Sequence, residues 1–512
     1  MAIHRSCGIL MHITSLPGPY GTGTLGDFAQ VFARLLGNAG VRYWQVLPLG
    51  PPQEGDSPYQ CLSAFAGNPV LIDPGHLAQS GLVTPEEADE CRVETNPETA
   101  SFQEAANKRE ILLRLAFSRL DDREKACVRA FVEKHRSWVV DYAWFQTIRA
   151  HFDGTPWWLW PDEDLRRREP AALEAFVWSH AAEVFYHMFV QYEFYRQWSD
   201  LKKEANAAGV GLFGDMPIYV ARDSADVWSH ADLFELDADL VPIRVSGVPP
   251  DYFAEDGQLW GNPLYDWNAL KKKDYGWWMA RIEHAFTLFD RVRIDHFRGF
   301  EAYWAVAADQ ETARDGVWVE GPGMDLFGLV TSRFAGAEIV AEDLGLLTAR
   351  THELLTETGY PGMRVMQFAF DGTRGNPHLP HNYPVNCVAY VGTHDNATLV
   401  GWIAGATSDQ VRLAAEYCRA ESPDAAGVCR AWIQTLWSSA AFLAIVAVQD
   451  LLALDGTRRM NVPGVPDGNW RFRLSEAEFA AIDYSWLRKI GGLYGRTPDA
   501  PADPDSASGK MD

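Results

Sequence analysis

The sequence predicts an α/β protein built on a (β/α)8 barrel, and three observations support this prediction. Eight short apolar runs have the length and residue types of buried β-strands. Helical segments separate most of these runs, an alternation typical of parallel α/β folds. Several runs end in acidic or polar residues, as barrel strands do on the face that carries the active site.

The first part of the chain contains two of the predicted strands, residues 7–14 and residues 41–49. Between them, residues 28–36 place apolar side chains on one face of a helix. The long loop 50–69 follows the second strand, and loops of this length are usually functional. Tyr59 in this loop is a candidate for stacking on a sugar, with packing onto the core as the alternative.

Residues 74–209 are predicted to form a mainly helical insertion between the second and third strands. Helical periodicity extends over residues 85–91, 102–120, 122–135 and 171–204. The third strand is expected at residues 211–220, with Asp215 inside it.

Residues 221–289 are expected to form a loop-rich insertion, because prolines and glycines at 249, 250, 257, 261 and 263 exclude a long helix. Tyr252, Phe253 and Trp260 are concentrated in this stretch. Such an aromatic loop suggests a lid or binding wall, and packing onto the barrel rim is the alternative.

Five more strands are predicted. One begins at Arg291, and the others lie at residues 337–341, 364–370, 387–391 and 443–448. The barrel with its insertions is expected to span residues 1–497. Residues 498–512 are rich in Pro, Ala, Asp and Ser and are predicted to be a disordered tail.

The run RVRIDHFRGF at residues 291–300 places Arg293 and Asp295 on the same side of a strand. A guanidinium so close to a carboxylate favours the ionised acid and keeps it available as a nucleophile. A purely structural ion pair inside a sheet is the competing interpretation.

Asp295, Glu342 and Asp395 each follow a different predicted strand, so a barrel would bring them to one face. Cleavage of a glycosidic bond requires a nucleophilic carboxylate and a protonated carboxyl group on either side of that bond. A third acid can stabilise the charged transition state and hold up the pKa of the protonated acid. A metal site formed by these acids with His394, and structural pairing, remain open at this point.

The net charge of −24 argues against a nucleic-acid partner, because binding to phosphates requires a basic surface. The seven cysteines show neither zinc spacing nor a disulfide framework, which favours a reducing cytoplasm over secretion. We recognise no signal peptide, and the longest apolar run, residues 440–448, is too short to span a membrane.

Three motifs around the candidate acids, RIDH, AEDLG and THDN, resemble the conserved regions of the α-amylase superfamily. The chain more closely resembles the 4-α-glucanotransferases known as amylomaltases or disproportionating enzymes. The motifs similar to that family are HITSLPGPYGTGTLG, YWQVLPLGP, SPYQ, GDMPIYV, GVPPDYF, GQLWGNPLYDW and NWRFR, which extend from residue 12 to residue 473.

This resemblance implies a cytoplasmic enzyme that moves α-1,4-glucan segments from a donor to the 4-hydroxyl of an acceptor with retention of configuration. It implies Asp295 as nucleophile, Glu342 as acid/base and Asp395 as transition-state stabiliser. The resemblance also implies substrate contacts for Tyr59, Asp215, Tyr252, Phe253, Trp260, Arg293, Asp371, His394 and Asn461. It implies neither a metal, nor a cofactor, nor an obligate protein partner.

One position departs from the family pattern: Val465 follows Pro-Gly where a small polar residue is expected. This departure concerns the substrate contacts of its loop, which include Asn461. The resemblance also implies that a C-terminal β-sandwich is absent. A hydrolase of the α-amylase type and a catalytically silent glucan-binding protein remain as alternatives.

Overall fold

The computed structural model describes residues 4–53, 55–94, 96–250, 255–345, 347–422, 424–465 and 467–498. The expected lid residues Tyr252 and Phe253 and the predicted tail from residue 499 onward lie outside these ranges. Within the described ranges, the helices are too short or too polar to cross a membrane.

Eight parallel strands form a nearly closed barrel, and four further strands form a separate antiparallel sheet. In chain order the strands are β1 (Ser6–Leu10), β2 (Tyr43–Gln45), β3 (Gly211–Met216), β4 (Arg244–Val248), β5 (Gln258–Pro263), β6 (Arg291–Ile294), β7 (Ala302–Ala307), β8 (Gly316–Glu320), β9 (Glu338–Ala341), β10 (Gly362–Val365), β11 (Cys387–Tyr390) and β12 (Leu443–Ala447). The barrel order is β10-β11-β12-β1-β2-β3-β6-β9. Where β9 meets β10, the Ala341 N–H donates to the Pro361 carbonyl oxygen at 2.9 Å. The predicted barrel fold is confirmed.

The helices surround the barrel and fill its insertions. They are α1 (Asp27–Asn38), α2 (Pro74–Gln79), α3 (Pro85–Asp89), α4 (Phe102–Ser118), α5 (Asp122–Lys134), α6 (Arg136–His151), α7 (Glu163–Arg166), α8 (Pro170–Ser179), α9 (Ala181–Ala207), α10 (Ala225–Ser229), α11 (Trp267–Lys272), α12 (Gly276–Leu288), α13 (Gly323–Arg333), α14 (Ala349–Thr358), α15 (Leu399–Gly405), α16 (Ser408–Cys418), α17 (Ala425–Ser438), α18 (Val448–Leu451), α19 (Glu476–Ala480) and α20 (Tyr484–Leu493). Beyond β12 the described residues form short helices, a single-turn 3-10 helix and loops, without a β-sandwich.

All eight predicted barrel strands are present, although several end earlier than the apolar pattern suggests. The third ends at Met216 rather than at residue 220, because Pro217 has no N–H to donate to a neighbouring strand. The buried strands read as continuous apolar runs, as in β12, where every residue is buried on both faces. One cluster of buried apolar side chains extends from the barrel into the insertion helices.

The stretch between β2 and β3 contains helices α2 to α9, including one more long helix than the sequence pattern indicates. Helix α6 buries Tyr142 and Phe145 on one face and packs Val140 and Trp144 against the core from the opposite side, so its periodicity is weak. The predicted helix 171–204 is two helices, because the backbone leaves the helical conformation at His180, with φ −115° and ψ 24°.

The stretch expected to be loop-rich contains strands β4 and β5, which join β7 and β8 in an antiparallel sheet of order β5-β4-β7-β8. Gly257, which the sequence pattern predicts to lie in a loop, and Gly247 permit the close approach of β4 to β5. A Cβ at Gly257 would lie 2.3 Å from the Val248 carbonyl oxygen, and one at Gly247 would lie 2.7 Å from that of Gln258. The φ of Gly257 is also +68°, a conformation that favours glycine.

We expect Gly257→Ala to open the β4–β5 hairpin, because both the conformation and the close approach exclude a Cβ. Amide hydrogen exchange of residues 244–248 and 258–263 should accelerate. Gly261→Ala is the matched control, since its φ is +75° but a Cβ there would meet no atom within 4 Å. That control should cost only the strain of the left-handed conformation, about 1–2 kcal/mol. Equal exchange rates in the two variants would contradict the close-approach explanation.

Candidate active site

Asp295 and Glu342 are neighbours because their strands are neighbours. Strand β6 pairs with β9 in a register that places Ile294 beside Ala341, and the two acids follow directly. The Glu342 N–H donates to the Ile294 carbonyl oxygen at 3.0 Å, and the Asp295 N–H donates to that of Met216 at 3.0 Å. Both side chains therefore leave the barrel at the carboxyl ends of adjacent parallel strands, where barrel enzymes carry their chemistry.

Arg293 connects Asp295 to the neighbouring strand β3. Its Nη1 donates to both carboxylate oxygens of Asp215 at 2.8 and 2.7 Å, and its Nη2 donates to Asp295 Oδ1 at 2.6 Å. Burial alone would lower the pKa of Arg293, but Asp215 and Asp295 raise it well above its ordinary value. Arg293 thus remains a fixed cation that orients Asp295.

Glu342 lies in an environment that favours its protonated form. Burial, reinforced by the charge of Asp295 and opposed by Arg293, raises the pKa of Glu342 to about 7. Backbone N–H groups of His296 and Leu344 donate to its Oε2 and Oε1 at 2.9 and 2.7 Å and fix the orientation of the carboxyl group. A carboxyl group that titrates near neutral pH can both give and accept a proton.

Asp395 has the opposite electrostatic environment. Burial opposes its ionisation, but His394 and Asn461 hold the pKa of Asp395 well below its usual range. His394 Nε2 lies 3.2 Å from Oδ2, and Asn461 Nδ2 donates to Oδ1 at 2.6 Å. Arg459 donates to the backbone carbonyl oxygen of Asp395 at 2.6 Å. Asp395 is therefore a fixed anion.

Tyr59 connects the group formed by Asp295, Arg293 and Asp215 to the pair His394 and Asp395. Its hydroxyl donates to Asp215 Oδ2 at 2.9 Å and lies 2.9 Å from His394 Nε2. The ring stacks on His394, with centroids 5.2 Å apart and an interplanar angle of 17°, and Trp470 packs beside it at 5.6 Å. A continuous set of contacts therefore runs from Asp295 through Arg293, Asp215 and Tyr59 to Asp395.

Trp260, on strand β5, lies edge-to-face against the ring of His296, with centroids 4.9 Å apart. His296 follows Asp295 and has a left-handed backbone (φ 49°, ψ 48°), which places its N–H against Glu342. The small antiparallel sheet thus contributes an aromatic wall beside the acids. The two other predicted lid aromatics, Tyr252 and Phe253, lie outside the described residues.

Asp371 is the predicted site residue that described contacts do not join to the three acids. It is exposed in the loop after the 3-10 helix Met366–Phe368, and its Oδ1 accepts the Thr373 N–H at 2.8 Å. Asn461, by contrast, contacts Asp395 despite the unusual Val465. The Val465 side chain is exposed, and Asn469 secures the loop through the Val462 N–H and the Val465 carbonyl oxygen.

Sequence reasoning did not identify the contributions of His296, Arg459, Trp470 and His12. His296 and Trp470 lie inside the motifs RIDH and NWRFR, so a signal was present. Arg459 acts on a backbone carbonyl, a contact that no side-chain pattern encodes. Burial lowers the pKa of His12 to about 3, and its Nδ1 accepts the Leu47 N–H at 3.2 Å, so it is neutral.

The metal alternative receives no geometric support. In the part of the chain that the structure describes, no group of three or more His, Cys, Asp or Glu side chains is arranged to hold a metal ion. The oxygens of Glu342 instead accept backbone N–H groups, and Asp295 and Asp395 each bind a donor side chain.

Comparison with known proteins identifies the family. The sequence model described as 4-alpha-glucanotransferase matches residues 11–478. A 4-alpha-glucanotransferase of Thermus thermophilus is 46% identical over 501 residues, which cover 96% of this chain and 99% of that protein. One of Clostridium butyricum is 42% identical over 488 residues, 95% of this chain and 100% of that protein. The structure of a Streptococcus agalactiae amylomaltase in complex with acarbose superposes with a TM-score of 0.93 at 38% identity, covering 96% of this chain and 100% of the other. The chain belongs to the 4-alpha-glucanotransferase family.

Proposed function

We propose that the protein is a retaining 4-α-glucanotransferase that moves segments of α-1,4-glucan from a donor to the 4-hydroxyl of an acceptor glucan or glucose. The observation that carries this proposal is the pairing of Asp295 and Glu342 at adjacent strand ends with opposed environments. An arginine holds Asp295, while burial raises the pKa of Glu342 to about 7. One acid is thus suited to attack and the other to transfer a proton.

In the first half of the reaction, an Asp295 carboxylate oxygen attacks the anomeric carbon of the donor. Oδ2 is suited to this role, because Arg293 binds Oδ1 and no described residue hydrogen-bonds to Oδ2. Protonated Glu342 gives its proton to the glycosidic oxygen as the bond to the leaving segment breaks. The products are a glycosyl–Asp295 ester and a free saccharide carrying the new hydroxyl.

In the second half, ionised Glu342 accepts the proton of the acceptor 4-hydroxyl, whose oxygen attacks the same anomeric carbon. The ester bond to Asp295 breaks, its carboxylate is restored, and two inversions give retention. Asp395, held as an anion by His394 and Asn461, stabilises the positive charge that develops on the sugar ring in both steps.

The other substrate contacts belong to the same proposal. Tyr59, Asp215, Arg293 and His394 form the floor beneath the cleavage point, and Trp260 forms an aromatic wall. The aromatic segment 249–253 and Asp371 would contact glucan farther from the acids. The seven cysteines, which form no disulfide within the described chain, fit a reducing cytoplasm.

Incubation of the protein with maltotriose tests the reaction. We expect glucose together with a ladder of maltooligosaccharides longer than the substrate, because glycosyl units pass to acceptor sugars rather than to water. Chromatography of the products measures both the shorter and the longer saccharides. Products that only become shorter would instead identify a hydrolase, and binding without conversion would identify a silent glucan-binding protein.

Asp295→Asn should lower kcat by at least about three orders of magnitude, because an amide is a poor nucleophile and cannot form the ester. Asp409→Asn is a matched control on exposed helix α16, where the same chemical change should leave kcat within two-fold. Maltotriose turnover measures both variants. Turnover by Asp295→Asn at the wild-type rate would remove Asp295 from the role of nucleophile.

The pH dependence of kcat/KM for donor cleavage should fall on the alkaline side with an apparent pKa of about 7. The sign follows from the first step, in which Glu342 must carry a proton, so activity declines as pH rises through its pKa. Glu342→Gln should remove this alkaline limb and most of the activity. An α-maltosyl fluoride donor needs no protonation of its leaving group and should rescue the glycosylation step of that variant. A limb that persists in Glu342→Gln would assign the titration to another group.

A further inference from the structure

A tryptophan lies exposed at the edge of the small antiparallel sheet. Strand β8 is the last strand of the order β5-β4-β7-β8, and its Trp318 is 42% exposed. A single exposed apolar side chain is common on protein surfaces, so the groups that surround Trp318 decide whether its position has a function.

Trp318 is held by two neighbours in a defined orientation. The Arg298 guanidinium carbon lies 3.8 Å from the centroid of the Trp318 ring. Trp304, directly opposite in the β7–β8 register, meets the ring edge-to-face with centroids 5.2 Å apart. Within the described residues, Arg298 forms neither a side-chain hydrogen bond nor an ion pair. Its Nε is buried without a partner, so the donors left for a ligand beside the oriented ring are the two Nη groups.

This group is continuous with the candidate active site. Arg298 belongs to the 3-10 helix Phe297–Phe300, which begins two residues after Asp295. On its other side, Trp304 Nε1 donates to the Ala313 carbonyl oxygen at 2.8 Å, and the Ala313 N–H donates to that of Asp256 at 3.1 Å. These contacts join the tryptophan pair to the turn after Asp295 on one side and to Asp256, which precedes β5, on the other.

The chemistry of this surface fits a neutral saccharide. An indole ring offers a flat apolar face for the C–H side of a pyranose, and a guanidinium without a carboxylate partner offers hydrogen bonds to hydroxyl groups. The surrounding acidic protein, with a net charge of −24, disfavours polyanions.

We propose that Trp318, Trp304 and Arg298 form an accessory binding platform for distant glucose units of a long α-1,4-glucan whose scissile bond lies at Asp295 and Glu342. This inference rests on the proposed function and extends it to chain length. Binding at two places on one chain raises the effective concentration of the second contact. Long glucans therefore bind more tightly through the platform, whereas maltotriose is too short to use it fully.

The test compares the ratio of kcat/KM on amylose of several tens of glucose units to kcat/KM on maltotriose. Trp318→Ala should lower this ratio by about five-fold, because the stacking surface is lost. Arg298→Gln should lower it in the same direction and serves as a second variant if Trp318→Ala does not fold. A purely structural role would reduce both rate constants in proportion and leave the ratio unchanged, which would overturn the proposal.

Trp178→Ala is the matched control, since Trp178 is 83% exposed on helix α8, in the helical insertion rather than the small sheet. The ratio of kcat/KM on amylose to kcat/KM on maltotriose should be the same for Trp178→Ala as for the wild type. If Trp178→Ala lowered this ratio as much as Trp318→Ala does, the proposal would also be overturned. Affinity electrophoresis in amylose-containing gels gives a readout that needs no turnover. Trp318→Ala should be retarded less than the wild type, whether or not the protein transfers glucan, so failure of the platform is separable from failure of the proposed reaction.

Discussion

The buried guanidinium of Arg293 is the group on which the candidate site depends. A cation removed from water needs carboxylates at hydrogen-bond distance. Asp215 on β3 and Asp295 at the end of the neighbouring strand β6 supply them. Nη1 contacts both oxygens of Asp215, which fixes the guanidinium, and Nη2 sets the position of Asp295. Loss of one partner in such a buried pair typically costs about 3–5 kcal/mol, so structural and catalytic requirements coincide here.

The chemistry of the site comes from different environments for similar side chains. Burial and the charge of Asp295 raise the pKa of Glu342 to about 7, against the opposing effect of Arg293 and the Leu344 N–H, so its neutral form persists to near neutral pH. Asp395 receives His394 and the Asn461 amide, and its charged form prevails. Separation of pKa values by environment allows a set of carboxyl groups to divide the roles of acid, nucleophile and stabiliser.

The small antiparallel sheet connects the barrel to the proposed substrate surface. Its strands β7 and β8 follow directly from the turn after Asp295, while β5 carries Trp260 against His296. The same sheet presents Trp318 to solvent, and Gly247 and Gly257 permit the close approach of β4 to β5. A rigid sheet beside a catalytic strand end can position aromatic surfaces for a polymer more precisely than a loop.

The sequence by itself determined the barrel, because strand period and apolar runs are local signals. It also predicted a helical insertion and placed Asp295, Glu342 and Asp395 after three different strands. It also placed Arg293 on the side of Asp295, since side chains two residues apart in a strand share a face. Tertiary structure decided what local patterns do not encode. Helix α6, apolar on several faces, and the strands among prolines and glycines were recognisable only from their partners. The joining of Asp215, Tyr59 and His394 into one hydrogen-bonded chain likewise requires distant segments to meet, because a pKa or a contact depends on neighbours in space rather than in sequence.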